Sequence, residues 1–326
     1  GAAPSRDRPP AGRRVYYQQE IQMANIGIIG SGNVGANTAF FIAEKVVGDV
    51  LLHDIQEGLS KGKALDMMEA APVRGYRTQI SGTDSMDEVL QCPIIIVAAG
   101  AVRKPGMKRE DLFDRNRGTV AEIARELKGS SSVVLLATEP VDLLTTVFAN
   151  ESGLPRKQVL GLGGLLDATR MRYLIAEELG VTMDNVSATV IGRHSDAMIP
   201  LPDYTTVSGV PVGKLLTSER LGEIFEKTRR AGDVIIEMAQ RANSYYAPSA
   251  AACDVAEAVH RNTRRIMSLS IMLEGEYDVE GVAMNLPVVV GRNGAEQVLL
   301  PTLSASEEAQ FKQSADDLKE VLGIGA

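Results

Sequence analysis

From Ala24 onward, short apolar runs alternate with stretches whose apolar residues recur at helical spacing. Asn25–Gly30 (NIGIIG) reads as a buried strand and Val34–Val47 as a helix. Val50–Asp54 comes next as a strand and Ser60–Ala70 as a helix. Ile94–Ala99 and Val133–Thr138 are further apolar runs, with helical spacing between them over Leu112–Leu127, and Val159–Gly164 closes the series. Runs this short and continuously apolar suit strands covered on both faces. Their alternation with helices predicts a parallel, doubly wound sheet.

Beyond Gly164 the pattern changes. Leu221, Ile224, Phe225, Thr228, Ile235 and Met238 share one helical stripe, predicting a long amphipathic helix. Pro248 is expected to bend or interrupt the segment after it. Ile266–Leu273 and Val282–Val290 read as strands, with Asn293-Gly294 as a hairpin turn before Glu296–Leu300. Ser304-Ala-Ser-Glu307 is a capping box for a last helix carrying Phe311, Ala315, Leu318 and Leu322. The expected organisation is an α/β nucleotide-binding domain over residues 23–163 and an α+β domain over 164–326.

Composition narrows the classes. Hydrophobic residues are 44% of 326 and Trp is absent, so the core is expected to be large and aliphatic. A formal charge of −8 argues against a general nucleic-acid binder, yet a local Arg cluster can still hold an anion. Cys92 and Cys253 form no Cys-x-x-Cys pair, so neither a disulfide framework nor a metal site is expected. A reducing, cytoplasmic setting is the matching expectation. No apolar run reaches the length of about 18 residues that a membrane span requires. Residues 1–22 hold four Arg and three Pro with little apolar content, and are expected to form a disordered tail.

The first strand runs straight into Gly30-Ser31-Gly32-Asn33-Val34-Gly35, which opens the first helix. The first glycine permits a tight turn, the second lets the backbone approach a pyrophosphate, and the third packs helix on strand. Phosphates would then face the helix N-terminus, where free N–H groups favour anions. Asp54 ends the second strand at the expected distance, about 20 residues on. Its carboxylate suits ribose hydroxyls and repels a 2′-phosphate, which favours NAD over NADP. Three glycines alone are a weak signal; here the strand–turn–helix setting and Asp54 support a Rossmann-type fold. His53 is expected to be an ordinary strand-end residue.

Four other segments hold polar residues that packing does not explain. Arg103-Lys-Pro-Gly-Met-Lys-Arg109 places four cations in seven residues after a strand, which reads as a mobile basic loop or a solvated charge run. Asp167 and Arg170 lie one helical turn apart, the spacing of an ordinary local ion pair. Ile191-Gly-Arg193-His194-Ser195 holds one of only three histidines. Ala137-Thr138-Glu139-Pro-Val-Asp142 sits at another strand end, where open α/β sheets bind ligands. His260 is expected on a helix surface without a chemical role.

Taken in order, these motifs resemble the lactate/malate dehydrogenase family, and within it the lactate-dehydrogenase-like malate dehydrogenase branch. The glycine loop, Asp54, Gly58–Pro72, the Arg-Lys-Pro-Gly-Met-x-Arg loop and Asn116 carry the likeness. Leu-Asp-x-x-Arg, Gly-x-His, Tyr245-Tyr-Ala-Pro248 and the Val-Gly-x-Asn-Gly hairpin extend it. The resemblance implies an NAD-dependent enzyme acting on malate and oxaloacetate, small dicarboxylates, as a homodimer or homotetramer. It makes His194 the acid–base residue, oriented by Asp167. An imidazole with an unperturbed pKa of about 6.5 suits that task. Arg170 would hold the C1 carboxylate in a two-pronged contact, and Arg109 would polarise the reacting carbonyl as its loop closes. Arg103 would pair with the second carboxylate; left unpaired in a closed site it would penalise pyruvate by several kcal/mol. Asn116, Ala137, Thr138 and Glu139 would border the cofactor, and Ser244 and Pro248 the pocket wall. The helix over Ser60–Ala70, with its Met67-Met68 pair, would lie at a subunit interface.

One position departs from the family. Where Asn-Pro is usual, this chain has Glu139-Pro140. An ionised Glu accepts hydrogen bonds but donates none. At about 4 Å and an effective dielectric near 20, its repulsion of an anionic substrate approaches 4 kcal/mol. Glu139 is therefore expected to be protonated or paired with Arg170 or Arg109. The alternatives are a different 2-hydroxy acid, such as lactate, or an NAD-binding homologue without catalysis. Arg193, beside His194, is expected to lower the imidazole pKa.

Overall fold

The computed structural model describes residues 25–102, 107, 109–239 and 244–324, with residues 109 and 110 described by their backbone alone. The tail over 1–22 and the basic-loop side chains of Arg103 and Arg109 lie outside the described residues. Six parallel strands form the centre: β1 Ile26–Ile29, β2 Val50–His53, β3 Ile80–Thr83, β4 Ile94–Val97, β5 Val133–Leu136 and β6 Val159–Gly161, in the order 3-2-1-4-5-6. The helices between them are α1 Asn33–Glu44, α2 Leu59–Arg74, α3 Met86–Val89, α4 Arg109–Glu126 and α5 Val141–Ser152.

Strand alternation sorts the core into two layers. Ile94 and Ile96 point to one face with residues of α1 and α2, whereas Ile95 and Val97 point to the other with α4 and α5. Strands β1, β4 and β5 are buried throughout because helices cover both faces, whereas β3 at the edge leaves Ser81 exposed; this is the doubly wound arrangement that the pattern predicts.

The rest of the chain adds α6 Gly164–Leu179 and five two-residue strands: β7 Val186–Ser187, β8 Val190–Ile191, β9 Ile199–Pro200, β10 Thr206–Val207 and β11 Val210–Pro211. After them come α7 Ser218–Ala239, α8 Tyr246–His260, β12 Arg265–Glu274, β13 Glu280–Gly291, β14 Gly294–Val298 and α9 Ala305–Leu322. The last three strands are antiparallel and continue the same nine-stranded sheet, with Ser270 of β12 opposite Gly161 of β6.

Several expectations shift. Pro248 does not interrupt α8; it lies in its first turn, where no N–H is required of it. The hairpin turn is Arg292-Asn293, because Gly294 already pairs with Gly291. The stripe on α7 is buried at Leu221, Ile224 and Thr228, but Ile235 and Met238 stay 37% and 80% exposed. Met67 and Met68 turn inward against the core, leaving Leu65 and Val73 as the exposed apolar residues of α2. At Ser304 the capping box forms as predicted, with Glu307 N–H donating to the hydroxyl and the Glu307 carboxylate accepting from Ser304 N–H.

Candidate active site

The glycine loop is shaped by what side chains cannot fit. Gly30 has φ +101°, and a Cβ there would lie 2.7 Å from the Ala98 and Ala99 backbone. At Gly35 a Cβ would sit 1.9 Å from the Gly30 carbonyl oxygen, so α1 packs directly on the turn. At Gly32 a Cβ would meet no atom within 4 Å: open space lies beside the helix N-terminus. That is the cradle a pyrophosphate requires.

Asp54 closes the loop's far side. Its carboxylate accepts from Ser31 N–H at 2.7 Å and Gln56 N–H at 3.0 Å, with lone pairs left for a ribose. Ser31 is buried, and its hydroxyl donates to the His53 carbonyl. Asn33 and Val34 open α1, and the Val34 carbonyl accepts from Ser249 Oγ of α8 at 2.9 Å.

Val34 also lines a cleft that reaches Gly100, Ala137, Thr138, Glu139, Arg170, His194, Ser244 and Pro248. Asn116 of α4 fixes its rim, accepting from Ala101 N–H and donating to the carbonyls of Ala101 and Glu139. The Thr138 hydroxyl donates to the Ala99 carbonyl at 2.8 Å. Cofactor loop and chemical groups thus share one continuous space.

In the chemical half, His194 lies between β8 and β9. Its Nδ1 is 2.6 Å from Asp167 Oδ2 on α6, and both side chains are buried. Arg170, one turn on, is 3.6 Å from Asp167 Oδ1. The Arg170 Nε and Asp167 Oδ1 are buried without a hydrogen-bond partner among the described residues. A partly buried guanidinium whose Nε lacks a hydrogen-bond partner among the described residues, beside a cleft, suits an anion.

Two residues hold this arrangement: Asp142, to which sequence reasoning gave no role, and Asn285, which it passed over. Asp142, in the first turn of α5, accepts from His194 N–H at 2.6 Å through Oδ2 and from Asn285 Nδ2 at 3.1 Å through Oδ1. Asn285 of β13 also donates to the Gly192 carbonyl and accepts from Gly164 N–H at 2.6 Å. It ties β13, α6 and the histidine loop together. The signal was present: an Asn set within the apolar run Val282–Val290.

Glu139 takes a partner that sequence reasoning did not consider, since its Oε1 is 3.2 Å from His194 Nε2. The net shift of His194 runs opposite to the lowering expected from Arg193, because other groups set it. Burial alone would lower the His194 pKa, but the charges and hydrogen bonds of Asp167 and Glu139 outweigh it and push it up to about 10. Burial also raises the Asp142 carboxyl, to about 6. Among the described residues no group of His, Cys, Asp and Glu is arranged to hold a metal ion, and both cysteines are buried free thiols.

Comparison with known proteins agrees with this fold. The family model described as lactate/malate dehydrogenase, NAD binding domain, matches residues 24–161. The lactate/malate dehydrogenase alpha/beta C-terminal domain matches 165–325. The chain is 41% identical over 302 residues to a malate dehydrogenase of Methanosarcina barkeri, covering 92% of this chain and 98% of that protein. Among solved structures it is similar to Cryptosporidium parvum malate dehydrogenase, with a TM-score of 0.88, 33% identity and coverage of 91% and 97% of the two chains. It is similar too to the lactate dehydrogenase of that organism complexed with lactic acid and nicotinamide adenine dinucleotide, with a TM-score of 0.88, 31% identity and coverage of 93% and 98%.

Proposed function

The chain belongs to the lactate/malate dehydrogenase family, and from that premise we propose that it interconverts (S)-malate and oxaloacetate with NAD. The observation that carries the reading is the buried Asp167–His194 pair beside Arg170, whose buried Nε has no hydrogen-bond partner among the described residues, in a cleft that Val34 of the glycine loop also lines. Gly30, Ser31, Gly32, Asn33, Val34 and Gly35 would hold the pyrophosphate, Asp54 the adenosine ribose, and Asn116, Ala137 and Thr138 the nicotinamide side. When bound, NAD accepts hydride from malate C2 and its reduced form returns it to oxaloacetate.

The remaining chemistry belongs to the chain. Arg170 orients the C1 carboxylate by a forked contact. His194 takes the C2 hydroxyl proton in oxidation and returns it in reduction. Asp167 holds the ring with Nδ1 inward and stabilises the imidazolium. Arg109 polarises the carbonyl and Arg103 pairs with the second carboxylate, so pyruvate leaves a cation without its partner. Residues 23–163 would act as the cofactor half and 164–326 as the substrate half.

We read the protein as cytoplasmic, in keeping with its buried free thiols, and as a homodimer or homotetramer. Among the described residues no helix is long and apolar enough to cross a membrane. Oxidation of NADH followed by absorbance, with oxaloacetate and pyruvate compared under one condition, tests the function. Oxaloacetate should be preferred by orders of magnitude in kcat/KM; equal rates would reject the role given to Arg103, and no rate with either acid would reject the enzyme.

A further inference from the structure

Nothing in the proposed reaction requires a carboxylate on the outer nitrogen of His194, yet Glu139 Oε1 is 3.2 Å from Nε2. Nδ1 is committed to Asp167 at 2.6 Å, so Nε2 is the nitrogen left to face the substrate C2 oxygen. Both ring nitrogens therefore look at carboxylates, which only accept, and the doubly protonated ring is the form that satisfies both. The Glu139 main chain is fixed by Asn116 Nδ2 on its carbonyl at 2.7 Å. Its side chain is 44% exposed, whereas that of His194 is 7% exposed, so it has room to leave while the imidazole stays.

We infer that Glu139 is a positioning residue that stands in for the substrate oxygen: it holds the proton on His194 Nε2 in the substrate-free site, yields its place to the C2 carbonyl of an incoming 2-oxo acid, and so keeps the site poised for reduction. The inference rests on the dehydrogenase reading. During reduction the Nε2–H bond breaks and an O–H bond forms on the former carbonyl oxygen, whose π pair accepts the proton. C2 takes hydride from the reduced nicotinamide, and the neutral imidazole remains held by Asp167.

The charged groups around His194 agree with this assignment. Asp167 and Arg170 face it from α6, Asp142 from α5 through the backbone N–H, Glu139 from the turn after β5, and Arg193 adjoins it in the chain. Two carboxylates touch the ring directly, and Arg170 lies 3.6 Å from the Asp167 carboxylate. An Asn at 139, the residue usual in the family, could rotate to donate or accept and would not fix the proton by charge.

The experiment is a 15N NMR titration of the histidine imidazoles in the cofactor-free protein, in wild type, Glu139→Gln and Glu139→Asn, with His194→Gln identifying the resonance. Wild-type His194 should stay imidazolium through neutral pH, and both Glu139 variants should titrate lower by about one pH unit or more, a tenfold or greater loss of proton affinity. The pH limbs of kcat/KM for oxaloacetate reduction and malate oxidation should both move down by that amount, because kcat/KM reports the free enzyme. KM for oxaloacetate should fall as the competing carboxylate is removed. Coincident titrations of wild type and Glu139→Gln would overturn the inference whether or not oxaloacetate is turned over. Displaced titrations in a protein without turnover would uphold Glu139's hold on the proton and reject the dehydrogenase reading instead.

Discussion

His194 ties the free energy of folding to pH, and the sign can be worked out. Its pKa of about 10 in the fold lies above the ordinary 6.5, so the native state binds the proton more tightly than the unfolded chain. That contribution is fully present below about pH 6.5 and is lost as pH rises toward 10. Asp142 has the same sign in a lower window: a buried carboxyl raised from 3.8 to about 6 favours the fold when protonated, so stability falls between those values. Denaturant titrations of the cofactor-free protein at pH 7, 8 and 9 should show declining stability. His194→Gln should flatten that decline; an equally steep decline in the variant would remove His194 as its source. Asp167→Asn tests the chemistry at the same scale. With the imidazolium no longer stabilised, kcat should fall about 10²–10⁴-fold, while NAD affinity measured by fluorescence stays within about twofold.

The elements around these residues make separate predictions for the two ends of the site. Gly32→Ala adds a methyl group that meets nothing in the chain, so the melting temperature should hold while NAD affinity drops. Gly35→Ala drives a methyl group into the Gly30 carbonyl at 1.9 Å and should destabilise the protein as well as abolish binding. Equal thermal shifts for both would contradict the assigned cradle. At the other end, Asn285→Ala leaves buried partners on Asp142, Gly164 and Gly192 unsatisfied. A loss of about 1–3 kcal/mol is expected, with kcat falling more than NAD affinity. These cases also show what the sequence made legible. The parallel core could be read because its central strands are covered on both faces, and the glycine loop because its sterics are local. His194, Asp167 and Arg170 were found through short motifs. The roles of Asp142 and Asn285 were not legible because they are long-range: they act across 52 and 143 residues. β3 and α5 escaped notice for a different reason. Ile80-Ser-Gly-Thr83 lacks an apolar run, and α5 is buried on nearly all sides and so has no polar face to mark its period.

At the scale of the whole molecule, apolar side chains exposed on α7 lie close to the proposed substrate site. Val234 and Ile235 are each 37% exposed on a groove between α6, α7 and the start of α8, with Tyr173 exposed beside them. The same groove is lined by Arg170, whose guanidinium also borders the active-site cleft. On α7, a Cβ at Gly232 would lie 3.8 Å from Arg170 Nη2, so this helix forms one wall beside the Arg170 guanidinium. The groove's lining also holds Glu223, Glu226, Lys227 and Arg230, so its apolar stretch has a charged rim. If a second copy covers it, the partner stiffens α7 and, through α7, the position of Arg170. Replacing Val234 and Ile235 together by Asp places two desolvated charges in that contact and should convert the assembly to monomer in sedimentation velocity. The monomer should keep its NAD affinity, since the glycine loop lies elsewhere, but lose kcat/KM for oxaloacetate through a raised KM. An unchanged sedimentation coefficient would place the interface on another face. A monomer with unchanged KM would show that Arg170 holds its position without help from a neighbouring subunit.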